Sequence, residues 1–504
     1  MINLGQLFSV IKEIDKTSRL YIAKNTRPEN VLINNTISDS RMAGKGSLFC
    51  CFRGKRFDGH NFAGVAEQKG ASSLITEEVL DVGIPQIIVN SVREIAGYAA
   101  DAVYSYPSEK LLMVAVTGTN GKSTTSFMIK KLLEEAGYKT GLIGTITYSD
   151  GENETGAERT TPEATDIQSW LSRMVHNGCD ACVMETSSHG LILGRLNGCS
   201  FDIGIFTNLT EEHLDFHGDI EKYFEAKMIL FKEKMKKEGK IFTNMDDQYG
   251  ENIYNTFRDK TTSYALKNRD ADFFADNTEV EQDGCIMDIL FKGKIIAKEV
   301  NIPLTGHYNL YNALAAVSAA IKTGVPPETV SRGLKTLPKV PGRLERYLFS
   351  NGVCCVIDYA HTPDALENVL KTLSQIKRGR LKIVFGLGGN RYAPNRPVMG
   401  AVAATYADDI FLTMDNPRNE DPEKIAKQIK EGIKKKIRDD NTCITVIDRK
   451  EAVNRALDSA HEGDIVLVSG KGPEREIIWG ERKIPYNDAE AVIEWANIHK
   501  MECW

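Results

Sequence analysis

Residues 111–124 read LLMVAVTGTNGKST. A short apolar run ends in a glycine-rich turn, and Lys122 and Ser123 follow at once. This is the strand–loop–helix order of a nucleotide-phosphate site. Gly118 and Gly121 let the backbone turn tightly, so that N–H groups of the loop (Thr119, Asn120) can face phosphate oxygens. The helix that opens near Lys122 points its positive dipole end the same way. Lys122 can reach the β- and γ-phosphates, and the Ser123 hydroxyl, with Thr124 beside it, can meet Mg²⁺. Counted from Gly118 the pattern is G-x-x-G-K-S, shorter than the common phosphate loop. An ordinary glycine-rich βα turn is the competing reading.

Working outward, the chain has 504 residues, which predicts about three domains. Charged residues make up 26 % and hydrophobic ones 42 %, ordinary globular usage. The net charge is −6, the pI is near 6.0 and there is no long basic stripe, which argues against nucleic acid as a partner. The first residues, MINLGQLFSVIKEIDKTSRL, contain acidic side chains and no apolar h-region, so no signal peptide is expected. No apolar run approaches the ~18 residues of a membrane span, so no membrane insertion is expected. The ten cysteines form no CxxC pair; Cys50/Cys51 and Cys354/Cys355 lie in apolar runs. Reduced thiols and a cytoplasmic location follow as expectations.

Residues 1–107 read as mixed α/β, with strands such as SLFCCF and SSLIT and with Asp39-Ser40-Arg41 and Asp58-Gly59-His60 in turns. YSYPSE (104–109) marks a break. Residues 108–338 carry the phosphate loop and the apolar strands ACVME (181–185) and DIGIFTN (202–208), with polar residues at their C-terminal ends, where open parallel sheets collect ligands. PKVPGR (338–343) marks the next boundary. In residues 339–504, strands VCCVID, LKIVFG, DIFLTM, CITVID and DIVLVS alternate with amphipathic stretches, which predicts a doubly wound parallel sheet. The basic cluster Lys430–Arg438 reads as a solvated helix face.

Glu185 ends a strand beside the phosphate loop and can hold Mg²⁺; Thr186, Ser187 and Ser188 equally suit a helix cap. His213, Asp215 and His217 crowd a turn with possible ligands. Lys227, in a lysine-rich helix, reads by itself as a surface charge.

TGTNGKST, ERTTPE, METSSHGL with LGR, FTNLTEEHLDFHG with YFEAK, NLYNALAA, PGRLE, DYAHTPDAL and MDNPRNEDP occur in this order. Together they resemble the Mur ligases of peptidoglycan synthesis over nearly the whole chain, most of all the members that add the third amino acid. SDSR, GSLFC and GKRFDGHNF resemble the UDP-binding domain of those members.

The resemblance implies three α/β domains: a UDP-binding domain (1–107), a central ATP-binding domain with a P-loop ATPase-type parallel sheet (108–338) and an amino-acid-binding domain with a Rossmann-like sheet (339–504). It implies ATP-dependent activation of a carboxylate as an acyl-phosphate, attack by an incoming amine and release of phosphate. The acceptor would be the D-Glu γ-carboxylate of UDP-MurNAc-L-Ala-D-Glu. Lys122, Glu185, His213 and Lys227 would be catalytic. Ser123, Glu185 and His213 would place Mg²⁺, and Lys227, carbamylated by CO₂, would support a second ion. Gly118 to Thr124 would bind ATP, with Asn309, Asn312, Arg343 and Asp358 closing over it, accompanied by Tyr359 and His361. Ser38, Ser40, Lys55, Arg56 and Phe57 match the uridine end; Thr160, Thr161, Ser187 and Arg195 match the muramoyl-dipeptide end, and Arg159 stands where an Asn is usual. Asp415, Asn416, Pro417 and Arg418 match the signature of enzymes that add meso-diaminopimelate, with Arg418 gripping the distal carboxylate. Arg391, Gly470 and Glu474 match the other contacts, Glu474 to the neighbouring ammonium. Asn390 replaces an acidic residue and Pro473 a His, which keeps L-lysine or another diamino acid open. A monomer is expected. A folylpolyglutamate-type ligase and a non-catalytic P-loop scaffold are the alternatives.

Overall fold

The computed structural model describes residues 1–22, 26–54, 57–281 and 283–504. The chain forms two compact units. The first comprises residues 1–209, 217–274 and 314–329, and the second 210–216, 275–313 and 330–504.

In the first unit, a five-stranded sheet runs in the order Arg19–Tyr21, Gln86–Ile88, Ser73–Thr76, Ser47–Cys50, Asn35–Ile37. Its first edge strand is antiparallel and the other pairs are parallel. Asp39 caps the turn at Ser40–Met42 by accepting from the Arg41 N–H at 2.9 Å, which explains the DSR signature locally.

The larger sheet of this unit is built around β1 (Leu112–Thr117), followed by α1 (Lys122–Glu135). β2 (Ala181–Glu185) and β3 (Phe201–Phe206) flank β1 on either side, both parallel to it. All three are almost wholly buried, as strands covered on both faces must be, so they read as apolar runs broken inside only by Asp202. Glu185 pairs with Val116, which brings it to the edge where the phosphate loop begins. α2 (Ile220–Glu233) turns Tyr223, Lys227 and Leu230 inward at helical spacing.

The second unit holds a six-stranded sheet. From one edge it runs Glu345–Leu348, β4 (Cys354–Asp358), Ile465–Ser469, β5 (Leu381–Phe385), β6 (Asp409–Leu412) and Thr442–Thr445. We call Ile465–Ser469 β7. Only the Glu345–Leu348 edge is antiparallel. Alternate residues of β4 enter different cores: Cys354 and Val356 join one layer, Cys355 and Ile357 the other. Helices 363–376, 395–406 and 422–433 cover the first face, and 449–458 with 488–498 the second. The expected doubly wound sheet is present.

The basic cluster differs from expectation. The helix stops at Ile433, and Lys434, Lys435 and Lys436 form an exposed turn rather than a helix face. Gly432 already packs against the Pro397 backbone, and no apolar residue continues the buried stripe beyond Ile433 except an exposed Ile437.

Candidate active site

The phosphate loop is shaped by a side chain that only tertiary structure supplies. Gly118 has φ 147°, and a Cβ there would lie 1.9 Å from the Thr207 hydroxyl, so no other residue fits. Asn208, just beyond β3, accepts the Thr119 N–H through its backbone carbonyl and the Asn120 N–H through its side chain, both at 2.9 Å. Gly121, at φ 84°, caps α1. The loop is therefore held by the neighbouring strand end.

Two lysines converge on this loop. Lys122 Nζ donates to the carbonyls of Gly118 at 2.8 Å and Thr119 at 2.7 Å. Lys227, 1 % exposed, donates to the same Gly118 carbonyl at 2.9 Å, and its ammonium lies 4.3 Å from the centre of the Tyr223 ring. Lys227 is thus a buried group of the loop, which overturns its reading as a surface charge.

Ser123 Oγ donates to Glu185 Oε2 at 3.0 Å, and Thr145 donates to both oxygens of that carboxylate from its N–H and hydroxyl at 2.9 Å each. Thr160 Oγ1 lies 3.0 Å from the Thr145 hydroxyl. Thr161 donates to the Glu185 carbonyl at 2.9 Å, accepts the Ser187 N–H at 3.0 Å, and its own carbonyl accepts from Arg195 at 2.9 Å. Arg195 also pairs with Glu163 at 3.1 Å; Arg159 pairs with the same carboxylate, and Arg93 approaches it at 3.6 Å. The dipeptide candidates and Glu185 form one hydrogen-bonded cluster. Thr145 belongs to it and carried no motif signal; its place after the strand Thr140–Ile143 was the only hint.

Of the three clustered turn residues, Asp215 is exposed and the two histidines have different surroundings. His217 is buried, with Nε2 3.0 Å from Ser188 Oγ. His213, half exposed with φ 57°, lies in the 210–216 segment of the second unit, 3.6 Å from Glu212. His361 approaches the same Glu212 at 3.7 Å. Ser40 is buried and Phe57 exposed; Lys55 and Arg56 fall outside the described residues.

Within the second unit, Asn312 donates to Asn309 at 2.9 Å, and Asn309 to the Thr305 carbonyl at 2.8 Å. Asp358 accepts the N–H groups of Leu344 and Ala360, both at 2.8 Å, while burial raises its pKa and Arg343 opposes the rise. Arg343 stacks over Tyr359 at 5.0 Å.

The ends of β5, β6 and β7 gather the remaining candidates. Arg418, at φ 53°, donates to the Gly389 carbonyl at 2.7 Å; burial lowers its pKa, and so does Arg391. Around Gly388, a built Cβ would lie 2.8 Å from Arg418 Nη1 and 3.4 Å from Arg391 Cγ, so the two arginines converge there. Asp415 is buried, which raises its pKa against the pull of Lys471. Asn416 donates to Glu474 Oε2 at 2.8 Å and accepts the Ile478 N–H at 2.9 Å. Gly470, at φ 106°, places its Cα side against Asp415. Pro417 is buried. Of the two unusual residues, Asn390 accepts the Asn419 N–H at 3.2 Å, and the Pro473 ring packs on Gly342. Among the described residues no cluster of three His, Cys, Asp or Glu could hold a metal alone, and no helix is long and apolar enough to cross a membrane.

Comparison with known proteins gives three family matches: the Mur ligase middle domain over residues 116–320, the Mur ligase glutamate ligase domain over 342–472, and the Mur ligase family catalytic domain over 33–107. The chain is 42 % identical over 473 residues to UDP-N-acetylmuramoyl-L-alanyl-D-glutamate--2,6-diaminopimelate ligase 1 of Clostridium acetobutylicum, covering 92 % of this chain and 95 % of that protein. It is 41 % identical to the ligase of the same activity name from Aquifex aeolicus, covering 90 % and 92 %. A solved structure of a UDP-N-acetylmuramoyl-L-alanyl-D-glutamate--2,6-diaminopimelate ligase, 28 % identical, superposes with TM-score 0.65 over 99 % of both chains.

Proposed function

The chain belongs to the Mur ligase family, whose members are ATP-dependent ligases, and we propose that it joins meso-diaminopimelate to the D-Glu γ-carboxylate of UDP-MurNAc-L-Ala-D-Glu. ADP and phosphate are the other products. Peptidoglycan precursor synthesis in the cytoplasm, by a monomer, is the setting this reading implies.

The observation that carries the amino-acid assignment is the bipolar cluster at the ends of β5, β6 and β7. Arg418 and Arg391 converge on one side of Gly388, and Asp415 and Glu474 supply the opposite charge. That pairing suits an ammonium beside a carboxylate, the distal end of diaminopimelate, which lysine lacks. Arg418 commits one nitrogen to Gly389 and has further N–H groups for a carboxylate. Asn390 and Pro473 are absorbed into loop packing, so the two departures do not displace the charged groups.

In the reaction, Lys122 and the start of α1 hold the γ-phosphoryl group while the substrate carboxylate attacks it. Thr160, Thr161, Ser187 and Arg195 hold the dipeptide end, and Asn309, Asn312, Arg343 and Asp358 serve the nucleotide. The amine then attacks the acyl carbon and phosphate leaves. Ser123 and Glu185 offer two buried oxygens 3.0 Å apart, a donor set that fits Mg²⁺, which binds through one or two protein oxygens plus phosphates. The ion neutralises charge on the transferring oxygens when bound. Lys227 fits a carbamate: it is desolvated, and Lys122 on the same carbonyl supplies a compensating cation.

The test is a substrate panel. ADP release with UDP-MurNAc-L-Ala-D-Glu is measured with meso-diaminopimelate, L-lysine and L-ornithine. Preference for diaminopimelate is expected. Preference for lysine would overturn the amino-acid assignment, and no amino-acid-dependent release would overturn the ligase reading.

A further inference from the structure

Lys471 carried no motif signal, yet its side chain is 0 % exposed. It sits two residues past β7, between Gly470 at φ 106° and Gly472 at φ 51°. A Cβ on Gly472 would meet Tyr359 Cβ at 2.8 Å, so the loop can turn only with glycine there. The two left-handed residues fold the lysine inward beneath the amino-acid cluster.

The ammonium meets two partners. Glu474 Oε2 lies at 2.7 Å and Asn416 Oδ1 at 3.2 Å. Asn416 in turn donates to the same Glu474 oxygen at 2.8 Å. Lys471, Asn416 and Glu474 therefore close a hydrogen-bonded triangle. Glu474 Oε2 is fully engaged in it, and Oε1 is left facing Tyr359 OH at a loose 3.5 Å. Asn416 spends its carbonyl oxygen on Lys471 and on the Ile478 N–H, so it acts as a relay. Asp415 is close enough for Lys471 to be the leading group that draws its pKa down.

Charge decides what this triangle is for. A buried ammonium is costly unless paired. Here one ammonium faces two carboxylates, Glu474 and Asp415, so this side of the bipolar cluster carries one net negative charge, set against the guanidiniums of Arg418 and Arg391. Such a site accepts an incoming ammonium and tolerates a neutral zwitterion. Without Lys471 both carboxylates would draw on the Arg418 and Arg391 guanidiniums beside them and compete with a substrate carboxylate for those groups.

We propose that Lys471 is a positioning and specificity residue of the amino-acid pocket: it fixes Glu474 and Asn416 in place and sets the pocket's charge so that a zwitterionic distal end is accepted. The inference rests on the ligase reading above. The test uses the full-length enzyme and Lys471→Met, of similar length and without charge. The apparent KM for diaminopimelate is expected to rise tenfold or more, with the KM for ATP and for UDP-MurNAc-L-Ala-D-Glu within twofold of wild type. The ratio of kcat/KM for diaminopimelate over L-lysine is expected to fall at least tenfold. A purely structural role would shift all three KM values together and leave that ratio unchanged, which would overturn the proposal. If the single variant does not fold, Lys471→Gln, which keeps a hydrogen-bond donor for Glu474 and Asn416 without the charge, decides the matter by the same measurements: wild-type KM and ratio in that variant overturn the proposal. Wild type without any amino-acid-dependent ADP release would overturn the ligase reading instead, before a variant is examined.

Discussion

A lysine that is 1 % exposed has surrendered most of its hydration, and Lys227 does so beside a phosphate loop. As a carbamate formed with CO₂, the role the family resemblance gives it, it would present an anion to the loop. Lys227→Ala is expected to lose ADP release and to regain part of it with added formate or acetate, which stand in for the missing anion; full activity without an additive would refute the role. The lysine-rich composition of α2 hid this residue, but its spacing did not: Tyr223, Lys227 and Leu230 share one stripe. Arg418 has its proposed role from its motif. Arg418→Ala removes a charge-assisted contact and leaves a substrate carboxylate unpaired, at a cost on the order of 2–5 kcal/mol. The loss is expected in the KM for diaminopimelate, measured with ATP and UDP-dipeptide saturating; unchanged diaminopimelate kinetics would sink the assignment.

At the scale of elements, the strand ends around the proposed amino-acid pocket are tied from behind. Arg449, which opens helix 449–458, pairs with Asp488, which opens helix 488–498, through two contacts of 2.8 Å, both side chains being fully buried. The same guanidinium donates to the Ser469 carbonyl at the end of β7 at 2.9 Å and to that of Met414, two residues past β6, at 3.4 Å. Arg449→Met leaves Asp488 buried without its counter-charge, with only the Tyr486 hydroxyl still donating to it, and is expected to cost about 3–5 kcal/mol in denaturant unfolding; Arg449→Met with Asp488→Leu is expected to cost less. An equal loss in both would show that the pair itself matters little. A second element carries a latent pH dependence. Asp101, in helix Val92–Val103, has its pKa pushed up to about 7 by burial and by Glu109, and its Oδ1 lacks a hydrogen-bond partner. Between the ordinary value of 3.8 and about 7 the unfolded chain has released this proton while the folded chain keeps it, so stability falls as pH rises through that window and levels off above it. Asp101→Asn is expected to raise the urea midpoint at pH ~8 more than at pH ~4, since only the charged form is penalised. Equal shifts at both pH values would refute this.

Across the whole molecule, all ten cysteines are free thiols, eight of them buried, Cys443 intermediate and Cys503 exposed. Burial raises the thiol pKa of Cys51 to about 12 and that of Cys285 likewise, so neither the thiolate nor access is available. A chromogenic disulfide reagent is expected to modify Cys503 readily in the native protein and all ten after denaturation. Rapid reaction of several thiols in the native state would mean that the cores open.

The strand–turn–helix at 111–124, the amphipathic helices and the four inner strands of the C-terminal sheet were determined by sequence alone, because each is set within a few residues by periodicity, glycine conformation and burial on two faces, whereas Thr442–Thr445 is an exposed edge strand. Mur ligase membership was legible for the same reason, as ordered motifs over the whole chain. What the tertiary structure decided are the partnerships. Ser123 meets Glu185 because β1 and β2 pair in parallel register, Lys227 meets Gly118 because α2 packs inward, and Lys471 meets Glu474 and Asn416 because two left-handed glycines fold its loop beneath β6 and β7. Those contacts join groups up to 109 residues apart, and local preferences along the chain hold no information about which strand ends will be neighbours.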